Sequence, residues 1–91
     1  MNHMHLDFET RSRVNLKRAG AYLYATDPST EIICMSYAID DGPVNTWLPG
    51  MDIPQDFDAT LPIYAHNAQF ERLIWWYILT PDHGFPEPEA S

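Results

Sequence analysis

The chain has 91 residues, 45% of them hydrophobic and 13% aromatic, with a formal net charge of −8. That length allows one small domain burying only about 60–65% of its unfolded surface, and the composition excludes a disordered chain. A single cysteine, Cys34, excludes an internal disulfide, and the longest apolar run, residues 73–79, is far short of the ~20 residues that span a bilayer.

In chain order, residues 3–8 alternate loosely between apolar and polar and predict a first strand. Residues 11–24 begin polar and basic and predict a loop with at most one short helical turn. Asp27-Pro28-Ser29-Thr30 is a turn signal. Glu31 to Ile39 is rich in β-branched and aromatic residues and predicts a second strand, with Cys34 inside it as a buried structural thiol. Asp40-Asp41-Gly42-Pro43 forms a turn, Val44 to Leu48 a third strand, and strands two and three an antiparallel hairpin. Residues 49–62 carry three prolines and predict a loop. Ile63 to His66 is a fourth strand, beside the first and parallel to it. Asn67 to Leu79 is the helix, N-capped by Asn67 and ended by Pro81. The chain therefore divides into a domain over 1–80 and an acidic, proline-bearing tail over 81–91, expected to be mobile.

No basic region followed by a long apolar stretch opens the chain, so a signal peptide is not expected and the protein is read as soluble and cytoplasmic. Charge is unevenly placed. Residues 1–24 hold Asp7 and Glu9 against Arg11, Arg13, Lys17 and Arg18, a balance of +2; residues 25–91 hold eleven acids and Arg72, a balance of −10. The basic segment is either a solvated loop or a phosphate-contacting loop.

The chemistry-bearing pattern is Asp7-Phe8-Glu9. On a strand, residues i and i+2 share a face, so the two carboxylates stand together. Like charges that close repel, and a hard divalent cation with oxygen ligands relieves the conflict. An exposed strand face with two solvated acids has the same spacing. The second segment is Ile63-Tyr-Ala-His-Asn-Ala-Gln-Phe-Glu-Arg72. It puts a third carboxylate, Glu71, in the first turn of the helix that leaves strand four. His3-Met4-His5-Leu6-Asp7 approaches a His-x-His-x-Asp-His metal motif, but position 8 is Phe, so His3 and His5 are read as strand residues on one face beside Asp7. His66 is read as structural or phosphate-proximal, and the tyrosines 22, 24 and 37 as core.

Together, Asp7-Phe8-Glu9-Thr10 and Asn67-Ala68-Gln69-Phe70-Glu71 resemble the first and second motifs of the DnaQ-like 3'-5' exonucleases. These have a ribonuclease-H-like fold and four acidic metal ligands. The nearest resemblance is to the proofreading region of phage-type family A DNA polymerases, over about residues 3–79. Glu71 stands where the family usually has Asp, and the third motif, a Tyr or His with a later Asp, has no counterpart.

The resemblance implies an α/β, truncated ribonuclease-H-like fold, with a mixed sheet of about four strands and one C-terminal helix. It implies a two-metal site for Mg²⁺ or Mn²⁺, with Asp7, Glu9 and Glu71 as metal ligands and catalytic residues. Thr10, Arg11, Asn67 and Phe70 would contact the 3' end of single-stranded DNA. The expected function is the N-terminal portion of a proofreading 3'-5' DNA exonuclease domain, cytoplasmic in a bacterial or phage-infected cell, and weak or inactive without a missing segment or second chain. The rival is a non-catalytic remnant serving as a binding and assembly module for a replication protein. A helix apolar nearly all round implies burial on several sides. Leu73, Ile74, Trp75, Trp76, Tyr77 and Ile78 are therefore expected to form an interface with a complementary chain or a second copy.

Overall fold

A computed structural model describes residues 2–89. Strand β1 (Met4–Arg11) alternates as its sequence demands: Met4, Leu6 and Phe8 are buried, while His5, Asp7 and Glu9 are exposed. It runs three residues past the predicted end. Along its whole length it pairs antiparallel with β2 (Glu31–Ile39), from Met4↔Ile39 to Arg11↔Glu31. The register slips between Glu9↔Cys34 and Thr10↔Ile32, leaving Ile33 as a bulge residue on β2. β2 continues through the predicted hairpin into β3 (Asn45–Trp47), again antiparallel. The fourth strand, β4 (Ile63–Tyr64), lies beside β1 and parallel to it. The result is a mixed α/β domain on a four-stranded sheet of order β3-β2-β1-β4.

Between β1 and β2 the chain is more ordered than its composition suggests. It forms α1 (Leu16–Ala19), capped by Asn15, and α2 (Ala21–Thr26). Only packing explains α2: Tyr24 and Ala25 are buried against the core.

The C-terminal helix is one rod of 16 residues: α3 (Ala68–Ile74), a π turn (Trp75–Leu79) and α4 (Thr80–His83). Pro81 was expected to end it and does not. A proline inside an α-helix has no N–H to donate and clashes with the carbonyl four residues back. The widened turn, in which the Thr80 N–H reaches the Trp75 carbonyl, gives the ring room. The rod stops at Gly84, whose φ of 76° is left-handed and whose N–H closes on the Thr80 carbonyl.

Of residues 81–89, expected to form a separate tail, 81–83 continue the helix and 84–89 fold back onto the domain; positions 90 and 91 of that expected tail lie outside the described residues, as does position 1. Phe85 is 2% exposed and packs edge-on against Trp47 and Phe57, at 5.0 Å in both cases. The Pro86 carbonyl accepts the Trp75 indole N–H at 2.8 Å. The helix face expected to be open is covered within the domain: Ile74, Trp75, Ile78 and Leu79 are buried in the core, and of the helix's large apolar residues only Trp76 and Tyr77 are exposed. Cys34 is half-buried rather than buried. It sits opposite Glu9 on the outer face, because the inward positions of β2 fall to Met35 and Tyr37. No helix among the described residues is long and apolar enough to cross a membrane.

Candidate carboxylate site on the first strand

β4 pairs with β1 only at Met4↔Ile63 and His5↔Tyr64. Past His5, the β4 side of β1 has no strand beside it among the described residues, and the chain leaving β4 turns into α3. This opening lies beyond the carboxyl end of β4 and alongside the second half of β1. A buried backbone N–H at such an edge must find a partner. Glu71 supplies one: its Oε2 accepts the Phe8 N–H at 3.0 Å. Asn67 sets the first turn that carries Glu71. Its side chain accepts the Phe70 N–H at 3.3 Å, and its carbonyl accepts the Glu71 N–H at 3.1 Å.

Glu71 thus reaches β1 between the two residues of the Asp-x-Glu pair. It is 4% exposed. Burial pushes its carboxyl up to about 7; the bond from Phe8 opposes the rise, and the charges of Asp7 and Glu9 add to it. The three predicted acids are therefore electrostatically joined. They are not joined as a cage: among the described residues, no three His, Cys, Asp or Glu side chains converge as ligands for one metal ion. Asp7 and Glu9 face outward from the sheet, whereas Glu71 is buried and tied to backbone.

The four residues predicted to touch nucleic acid are placed unequally. The Thr10 hydroxyl shares a hydrogen bond with the Tyr24 hydroxyl at 2.8 Å. The partly buried Phe70 ring lies 5.9 Å from the Tyr24 ring. These two therefore join through Tyr24, read from sequence only as core. Asn67 is spent on the helix cap. Arg11 pairs with Glu31 on an exposed surface, so its charge is locally balanced. Asp7 also borders a depression of about 510 Å³ on the outer sheet face, shared with His5, Ser36, Tyr64 and His66. Strand alternation alone foretells His5 and Asp7 there; Tyr64 and His66 arrive only because β4 runs alongside.

The chain is 37% identical over 79 residues to a DNA polymerase of Bacillus phage SP02. The chain is similar to part of a phage DNA polymerase. The match covers 79% of this chain and 12% of the polymerase's length. No protein-family model matches the chain, and no solved structure matches it.

Proposed function

We propose that the chain supplies the first two acidic segments of a metal-dependent 3'-5' DNA exonuclease site, of the ribonuclease-H-like proofreading type, within or alongside a DNA polymerase of a bacterial or phage-infected cell. The observation that carries this reading is Glu71 inserted at Phe8, between Asp7 and Glu9, its carboxyl raised to about 7. Similarity to a phage polymerase supports the setting.

The donor set suits Mg²⁺ or Mn²⁺ in kind, being all carboxylate oxygen. Mg²⁺ is usually held by one or two carboxylates together with waters and substrate phosphates rather than by a full protein cage, which matches two outward acids backed by a third. Asp7 and Glu9 would hold the cation, and Glu71 would complete or orient the set. When bound, such cations activate a water and stabilise the leaving oxygen of a phosphodiester. The chain's own residues position. Asn67 fixes the turn carrying Glu71, Phe70 and Thr10 meet at Tyr24 to form one wall for the terminal nucleotide, and Arg11 exchanges Glu31 for a phosphate. A fourth acidic ligand and a general base have no counterpart in these residues, so the reading requires them from a further segment or a second chain.

Calorimetric titration with Mn²⁺, in a His5→Ala background to remove imidazole binding, tests the site. Affinity should fall in Asp7→Ala; equal affinity in both proteins sinks the assignment. A second reading, a non-catalytic module that binds or assembles with a replication protein, is favoured by the unconverged carboxylates and by the exposed Trp76 and Tyr77. Incubating the chain with single-stranded DNA and Mg²⁺, alone and with a complementary polymerase segment, separates the two. Degradation that requires Asp7 supports the exonuclease, and binding without degradation in both arms supports the module.

A further inference from the structure

We propose that His3 and His5 form a two-imidazole site for a borderline divalent cation of the zinc, nickel or copper class, with Asp40 as the residue that orients His3. The two histidines lie on the same side of the chain, two residues apart, and their Nε2 atoms are 3.1 Å apart. Two nitrogens bonded to one cation at about 2.0–2.1 Å, at angles between square and tetrahedral, stand about 2.9–3.4 Å apart. The pair already has the spacing of neighbouring ligands.

The support behind the pair is what such a site needs. His3 Nδ1 is 3.4 Å from Asp40 Oδ1. A proton on Nδ1 facing the carboxylate leaves Nε2 with its lone pair outward, the carboxylate–histidine arrangement that fixes metal-ligating tautomers. Asp40 is held in place for this. Its N–H bonds the His3 carbonyl and its Oδ1 accepts the His3 N–H, both at 2.9 Å. Its φ of 52° is left-handed, a conformation uncommon for a residue other than glycine. Tyr64 stacks on the His3 ring at 4.4 Å and meets the His5 ring edge-on at 5.9 Å, limiting the freedom of both imidazoles. At 3.1 Å the two Nε2 atoms are within hydrogen-bonding distance, with the donor set by which ring carries its proton there. To bind a cation His5 takes the tautomer with its proton on Nδ1, so that both Nε2 lone pairs are free for the ion; His5 also borders the depression on the outer sheet face.

Imidazole prefers zinc, nickel and copper, whereas magnesium and manganese prefer carboxylate oxygen. The site is therefore chemically separate from the Asp7, Glu9 and Glu71 group, and stands whether or not that group binds a cation.

Calorimetry of the untagged 91-residue chain with Zn²⁺ and Ni²⁺, with Mg²⁺ as control, tests the proposal. One ion per chain is expected. Affinity should drop by more than about tenfold in His3→Ala and in His5→Gln, and by about tenfold in Asp40→Asn, as loss of an outer partner typically does. It should be unchanged in His83→Ala, and excess Mg²⁺ should not compete. With Cu²⁺, electron paramagnetic resonance should show coupling to two nitrogens in the parent and to one in either histidine variant, with circular dichroism verifying that each variant is folded. Unchanged affinity in both histidine variants, dependence on His83, or no binding by the parent chain overturns the proposal.

Discussion

Glu71 holds its carboxyl where ionisation is unfavourable, and stability should register this. Its value is raised from 4.5 to about 7 in the folded chain. As pH climbs from 4.5 the unfolded chain gives up this proton first, so the native state binds more protons over that window and loses stability until about pH 7. The loss is on the order of 3 kcal/mol, from about 1.4 kcal/mol for each pH unit. Glu71→Gln keeps an oxygen for the Phe8 N–H and removes the titration. In chelator, the urea midpoint of the parent should fall relative to the variant between pH 5 and 7; parallel curves would refute it. Tyr37 differs in kind. Burial first, then its bond to Asp56 at 2.9 Å and that residue's charge, lift its hydroxyl to about 12. Tyr37→Phe should cost about 1 kcal/mol at neutral pH, as loss of one hydrogen bond does, measured by denaturant titration.

The 16-residue rod is the element on which the site depends, and its two ends are testable. Asn67→Ala removes the acceptor for the Phe70 N–H and should cost about 1 kcal/mol, while Asn67→Ser, which still caps, should cost little. If both variants are equally stable but only the alanine fails to bind DNA, Asn67 serves the ligand rather than the helix. At the other end, Gly84→Ala forces a side chain into a φ of 76° and should destabilise by about 1 kcal/mol, read from the thermal midpoint. The Asn67 end was legible because a cap and the helix it starts are neighbours in sequence. The passage through Pro81 was not, because the π turn that admits it is supported by Trp75, whose ring is held by Pro86 and Phe57.

For the whole molecule, the core is built from aromatic residues distant in sequence: Trp47, Phe57, Trp75 and Phe85 meet at 5.0–5.1 Å. Trp75 is 0% exposed and Trp76 is 46% exposed, so these neighbours should behave oppositely. Trp75→Ala should cost about 3–5 kcal/mol, comparable to the entire stability of a domain this small, and circular dichroism should show it largely unfolded. Trp76→Ser should leave the fold intact. Iodide should quench one of the three tryptophans and spare two. If the helix also serves assembly, as the second functional reading holds, sedimentation should show association lost in Trp76→Ser with the fold retained.

The sequence by itself determined what is local or periodic. The alternation of Met4, Leu6 and Phe8 with His5, Asp7 and Glu9 set both the strand and its two faces. The turn at residues 40–43 set the β2–β3 hairpin, and Asn67 set the start of α3, because each depends on residues within a few positions of one another. It also put Asp7 and Glu9 on one face of the first strand and Glu71 in the first turn of the helix. Tertiary structure decided the rest. Glu71 meets Phe8 across 63 positions and His3 meets Asp40 across 37. Phe85 returns to Trp47, and Cys34 faces outward because a bulge and its neighbours fix the register. Such contacts are set by the free energy of burying one face against another, and that depends on the assembled surface rather than on any single segment.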